Sequence, residues 1–197
     1  MKSNISERII FYIILHFNLR QLFGCIEFKK QNMTKNIIAI LIIMSLNISC
    51  QSQKSAFSEE ALNSNLQALD GKEVAFKEII NKNRGKTLVI EIWASWCGDC
   101  VKAMAKLKKL QQDNPDVSYV FISMDKAEDK WKSGIEKHEI KGDHFWATEG
   151  MKGSFGKSID LDWIPRYIII DKKGKVVLYR AIETDFEKID TTIKTLK

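Results

Sequence analysis

Two cysteines separated by two residues, in Trp96-Cys97-Gly98-Asp99-Cys100, are the side chains of this sequence best suited to chemistry. A thiolate attacks a disulfide to form a mixed disulfide, and a second thiol nearby can then resolve it. The pair stands where an apolar, β-rich run (87–93) gives way to a helical pattern (98–112). Cys97 is therefore expected at a helix N-terminus, where free N–H groups and the helix dipole favour a thiolate. The spacing brings Cys100 round the first turn. Cys97 is expected to be the exposed nucleophile and Cys100 the buried resolving thiol. Two other chemistries fit poorly. A structural zinc site wants four ligands, one Cys-x-x-Cys supplies two, and His138 and His144 are not at a helical ligand spacing. Covalent haem needs His after the second cysteine, where Val101 stands. No metal is expected.

The elements around this pair follow from patterning. The run 87–93 reads as a central strand buried on both faces, and Glu91 lies in its middle. A lone carboxyl there is costly unless it is functional or has a partner, such as a lysine. The helix over 98–112 puts Val101, Met104, Leu107 and Leu110 on one side, and Asn114-Pro115 stops it. Residues 117–124 read as another buried strand and 127–138 as a helix. Strands over 166–170 and 175–179 flank Asp171-Lys-Lys-Gly174, a turn whose Gly suits the left-handed position. Upstream, Ser58-Glu-Glu-Ala can start a short helix, 66–76 reads as a hairpin around Asp70-Gly71, and 76–83 as a helical turn. Residues 184–196 close as a helix capped by Thr184, with Glu187 three residues on. The order is that of an α/β domain with a mixed sheet, parallel first and antiparallel at the last edge.

The net charge of +6 is uneven. Six basic residues against two acidic ones precede Cys50, and the rest of the chain is nearly balanced at 25 against 23. The body thus lacks the basic stripe of a nucleic-acid binder. Lys102, Lys106, Lys108 and Lys109 are spaced as the wet side of a helix. Met33-Thr-Lys35 followed by an apolar run of ten residues (37–46) describes a secretory signal, too short for a spanning helix. Cys50 directly after Ser49 resembles the lipidation site of a bacterial lipoprotein signal. A second apolar run at 9–17 precedes this signal, so Met33 is the expected start of translation. Residues 1–50 are accordingly a leader, 51–59 a tether and 60–197 the domain. With Cys25 and Cys50 in the leader, only Cys97 and Cys100 remain for the exported domain.

Two segments carry a specific resemblance. Val89-Ile-Glu-Ile-Trp-Ala-Ser-Trp-Cys-Gly-Asp-Cys100 is similar to the active-site strand and loop of the thioredoxin superfamily. Trp163-Ile-Pro-Arg-Tyr-Ile-Ile-Ile-Asp-Lys-Lys-Gly-Lys-Val177 resembles its cis-proline loop and hairpin. With the leader, the chain resembles the TlpA/ResA-like envelope oxidoreductases. The resemblance implies a thioredoxin-like fold with an insertion within 126–162, before the cis-proline loop. It makes Pro165 the cis-proline and Ile164 the residue whose backbone binds a substrate strand. It gives Glu91 the task of helping deprotonate Cys100 through water, and places Trp96 beside the nucleophile. The family's common proline before the second cysteine is replaced by Asp99, whose charge should disfavour a Cys97 thiolate and make the protein more reducing.

The expected function is reduction of protein disulfides in the periplasm or cell envelope by the Cys97/Cys100 dithiol. It needs no cofactor beyond that disulfide. The expected partners are disulfide-containing envelope proteins, a membrane thiol-relay electron donor and the membrane that holds the lipid anchor. A disulfide oxidase or isomerase, or a redox-silent binding module, are the alternatives on the same fold.

Overall fold

The structure, a computed structural model, describes residues 54–197. The leader, with Cys25, Met33 and Cys50, lies outside the described residues. Among those described, no helix is long and apolar enough to cross a membrane.

The chain order is α1 (Glu59–Asn63), β1 (Asn65–Ala68), β2 (Glu73–Ala75), α2 (Phe76–Lys82), β3 (Leu88–Trp93), α3 (Gly98–Asp113), β4 (Ser118–Ser123), α4 (Glu128–His138), β5 (Asp143–Trp146), α5 (Ser154–Ser158), β6 (Arg166–Ile170), β7 (Val176–Ala181) and α6 (Phe186–Thr195). The strands form one mixed sheet in the order β2-β1-β5-β4-β3-β6-β7. All six residues of β3 are buried, as its nearly continuous apolar sequence requires of a strand covered on both faces. It pairs in parallel with β4 and antiparallel with β6, which sets Glu91 opposite both Phe121 and Tyr167. This is the thioredoxin-like α/β arrangement expected, with parallel pairing at the centre and the antiparallel β7 at one edge.

Strand β5 was not anticipated. Asp143-His144-Phe145-Trp146 is short and begins with two polar residues, so it carries no clear period. It continues the parallel sheet beside β4 and receives β1 antiparallel on its other side. Together with α4 and α5 it occupies the segment 126–162 expected as the insertion.

Side-chain contacts place α3, α4 and α6 over one face of the sheet. Tyr119 of β4 donates its hydroxyl to the Leu110 carbonyl of α3 at 3.2 Å. Trp131 of α4 stacks on Trp146 of β5, and Lys108 of α3 pairs with Glu139 just beyond α4. Asn114 ends α3 by donating to the Leu110 carbonyl and reaches Asp190 of α6. Phe186 of α6 packs edge-on against Tyr167 of β6. Strand alternation puts Glu91 on this same face, with its register partners Phe121 and Tyr167.

Local differences from the sequence reading have simple causes. The buried stripe of α3 is Cys100, Ala103, Met104, Leu107 and Leu110, whereas Val101 is only half-buried. The buried face is rotated from Val101 toward Cys100 and Ala103. Asp185, not Thr184, occupies the N-cap position of α6, and its carboxylate accepts the Ile182 N–H at 3.0 Å. Described residues ahead of residue 60 already pack against the domain. Phe57 lies edge-on to Phe76 at 4.9 Å, Ser55 accepts the Val176 N–H, and Ser58 caps α1 through the Ala61 N–H. The turn at Gly174 takes φ +88°, the left-handed conformation its sequence suggested.

Candidate active site

Where β3 ends, the chain turns through Ala94-Ser95-Trp96 and enters α3 at Cys97, its N-cap. Cys97 and Cys100 are joined by a disulfide. Cys97 Sγ accepts the Cys100 backbone N–H at 3.1 Å. This donor is one of the N–H groups that a helix start leaves without an intrahelical partner. The same N–H and the dipole of a helix 16 residues long are aimed at any charge that develops on Cys97. Cys97 is 6 % exposed and Cys100 0 %, so the first cysteine alone offers an edge to solvent in the oxidised state.

The loop is fastened from behind by a residue that sequence reasoning missed. Asp125, fully buried just past β4, accepts the Ser95 N–H (3.0 Å), the Ser95 hydroxyl (2.7 Å) and the Ser123 hydroxyl (2.8 Å). Its own carbonyl accepts the Trp146 indole N–H at 2.7 Å. Gly134 of α4 brings that helix against the same loop, where a Cβ would lie 2.8 Å from Ser95 Cβ. The signal in the sequence was slight: an acid two residues after Ser123 at the exit of a buried strand.

The second loop comes from the other side. The Ile164–Pro165 peptide is cis, and the Ile164 carbonyl oxygen lies 3.6 Å from Cys97 Sγ. The structure thus brings Cys97, Cys100, Ile164 and Pro165 together across 67 residues of sequence. Buried Arg166 holds this loop by donating to the Ile159 carbonyl at 3.0 Å and to Asp162, which also receives Arg180 at 2.8 Å. Trp96 is 57 % exposed and Trp163 53 % exposed. They adjoin Cys97 and Ile164 in the chain, so each of the two loops that meet at the disulfide carries an exposed tryptophan. Sequence reasoning singled out only the first.

Glu91 is 1 % exposed. Its partner is a tyrosine, not a lysine: the Tyr167 hydroxyl donates to Glu91 Oε1 at 3.2 Å. Glu91 Oε2 has no hydrogen-bond partner among the described residues. Burial pushes the carboxyl up to about 8, opposed by the Tyr167 hydrogen bond. Asp99 lies on the exposed side of the first turn of α3, paired with Lys102 at 3.2 Å. That pair offsets part of the charge expected to act on Cys97.

Among the described residues no group of three or more His, Cys, Asp or Glu is placed to hold a metal ion. A cavity of about 550 Å³ is lined by residues of the β1–β2 hairpin, α2 and β5, including Lys82, Asp143 and His144. It contains no residue of the Cys97 or Pro165 loops. The reactive disulfide is met on a surface flanked by tryptophans, a form that suits a polypeptide.

The model of the Redoxin family matches residues 29–193. The chain belongs to the Redoxin family. Relatives within reach are thiol–disulfide oxidoreductases, in agreement with the enzyme class expected. ResA of Bacillus thuringiensis subsp. konkukian is 23 % identical over 146 residues, covering 73 % of this chain and 80 % of that protein. The thiol:disulfide interchange protein DsbE of Haemophilus influenzae is 27 % identical over 178 residues, covering 83 % and 93 %. Among solved structures, the thioredoxin domain of a Bacteroides vulgatus thiol-disulfide oxidoreductase superposes with a TM-score of 0.58 at 21 % identity, over 73 % of this chain and all of that one. A DsbE structure from Chlorobium tepidum gives 0.59 at 18 % identity, over 73 % and 99 %. These likenesses agree with the ResA/TlpA-like resemblance and the thioredoxin-like fold.

Proposed function

We propose that this protein reduces disulfides of other proteins in the cell envelope. The observation that carries the reading is the Cys97–Cys100 disulfide at the start of α3, with Cys100 sealed and Cys97 within 3.6 Å of the Ile164 carbonyl.

In the reduced protein, the Cys97 thiolate attacks one sulfur of a substrate disulfide. That S–S bond breaks and a Cys97–substrate disulfide forms, while the other substrate sulfur leaves as a thiolate and takes up a proton. The extended substrate segment lies along Ile164, whose backbone offers strand-type hydrogen bonds, between Trp96 and Trp163. Cys100 then gives up its proton and attacks Cys97 Sγ. The second substrate sulfur leaves, and Cys97–Cys100 is left oxidised. Two electrons pass from the cysteine pair to the substrate, and a membrane thiol-relay protein returns two to the pair.

Glu91 receives the Cys100 proton. A carboxyl poised near 8 is close enough to neutral pH to accept and release a proton in each cycle. Asp99, a negative charge on the first turn of α3, supports the reducing direction. The likeness to ResA and DsbE supports an envelope location. The lipoprotein-like signal before Cys50 supports Cys50 as the lipid anchor.

The test is turnover of a protein disulfide by residues 51–197. Cys97→Ser should abolish it, and Cys100→Ser should accumulate mixed disulfides that release on adding dithiothreitol. Full activity in Cys97→Ser would overturn the reading.

A further inference from the structure

Tyr167 stands directly opposite Glu91 in the antiparallel pairing of β3 with β6. It is wholly buried, and its ring is held edge-on by Phe186 at 5.3 Å. Its hydroxyl, a single donor on a fixed ring, engages Oε1 of Glu91 and leaves Oε2 without a partner. A carboxyl in this position could otherwise turn about its last torsion. The two oxygens of the carboxyl are therefore distinguished by the Tyr167 hydrogen bond alone among the described residues.

We propose that Tyr167 is a positioning residue for Glu91: it pins one carboxyl oxygen across the sheet and so orients the other to take the Cys100 proton. The proposal rests on the role given to Glu91 above.

The charges around the pair are consistent with this division of labour. Tyr167 is held well above its ordinary range, first by burial and then by the negative charge of Glu91, its hydrogen bond with Glu91, and Glu183 beyond β7. The hydroxyl therefore stays protonated and remains able to donate to the Glu91 carboxylate. From α3, Lys106 Nζ lies over the Phe186 ring, 5.8 Å from its centroid, and Phe186 in turn packs on Tyr167. From β5, His144 stacks on Phe121, and burial lowers its affinity for a proton, so it adds no positive charge near neutral pH. Tyr119 of β4, on the same face, donates its hydroxyl to the Leu110 carbonyl and burial raises it well above its ordinary range, so it stays neutral. Cys100, on the first turn of α3, becomes titratable once the disulfide is reduced. The Tyr167 hydroxyl is thus the one hydrogen bond to the Glu91 carboxyl among the described residues, and it lowers the proton affinity that burial raises.

The experiment follows Glu91 by carboxyl-carbon NMR in the oxidised protein, alongside the pH profile of mixed-disulfide resolution. It compares the wild type with Tyr167→Phe, which keeps the ring, and with 3,5-difluorotyrosine placed at position 167. Tyr167→Phe should raise the Glu91 midpoint by about one pH unit and slow resolution near pH 7 by about tenfold, with recovery at higher pH. The fluorinated ring, a stronger donor, should move the midpoint the other way. Unchanged midpoints in both would overturn the proposal. Glu91→Gln separates the two ideas. If it leaves the rate and profile of resolution untouched, the role of Glu91 fails. If it slows resolution while Tyr167→Phe does not, Tyr167 alone is excluded.

Discussion

The backbone N–H of Cys100 points at the sulfur of Cys97, 3.1 Å away, so the resolving residue's own main chain supports the nucleophile's charge. This contact is made within the first turn of α3. In the reduced protein, alkylation of Cys97 should stay rapid near pH 7, where an ordinary thiol of about 8.5 is mostly protonated. Cys100, sealed in the core, should react at least roughly tenfold more slowly at the same pH. Mass analysis of singly alkylated peptides checks both statements.

Buried Glu91 makes stability depend on pH in a definite direction. Its folded-state value of about 8 lies above the ordinary 4.5, so between these values the native state holds a proton that the unfolded chain has released. Stability therefore falls as pH rises through this window and levels off above it. Glu91→Gln should remove the slope. Urea unfolding at pH 5 and pH 8.5 should show the variant gaining on the wild type at the higher pH, by at most about 5 kcal/mol.

Asp125 gathers three hydrogen bonds that fix the loop before Cys97. Asp125→Ala should cost about 2–4 kcal/mol in thermal or denaturant unfolding, because Ser95 and Ser123 lose a buried acceptor. Gly134→Ala should cost about 1–3 kcal/mol, since the added Cβ meets Ser95 at 2.8 Å and Trp93 at 3.1 Å. Both should also slow disulfide exchange by displacing Cys97. Normal stability in both would mean that the loop is held by other means.

Much of this arrangement was legible in the sequence because it depends on local pattern. The continuous apolar run of β3, the cysteine pair at its exit and the Gly174 turn declare themselves within a few residues. The family resemblance supplied Pro165 and Ile164. What stayed hidden depends on register and tertiary approach. The Glu91 partner is 76 residues away, visible only once β3 and β6 are aligned. Nothing local in the sequence marks Asp125 as the buried acceptor behind the loop, or Arg166 as the buried cation that holds the Pro165 loop. Short β5 had too few residues to show a period.

Trp96 and Trp163 should matter for polypeptides and not for small disulfides. Replacing either with Ala should raise KM for a peptide disulfide about fivefold, corresponding to about 1 kcal/mol for an exposed aromatic contact. Reduction of a small alkyl disulfide, which cannot span both side chains, should be unaffected. Equal losses on both substrates would show that the tryptophans serve the loop's structure instead.

The redox potential of the Cys97–Cys100 pair tests the central claim most directly. Residues 51–197 would be equilibrated in dithiothreitol and glutathione buffers and the thiols counted by alkylation and mass. The account predicts a potential near that of thioredoxin, about −270 mV, at which the dithiol is a donor of electrons to substrate disulfides. A value near about −120 mV, that of a strong oxidant, would contradict it and make the protein a source of disulfides.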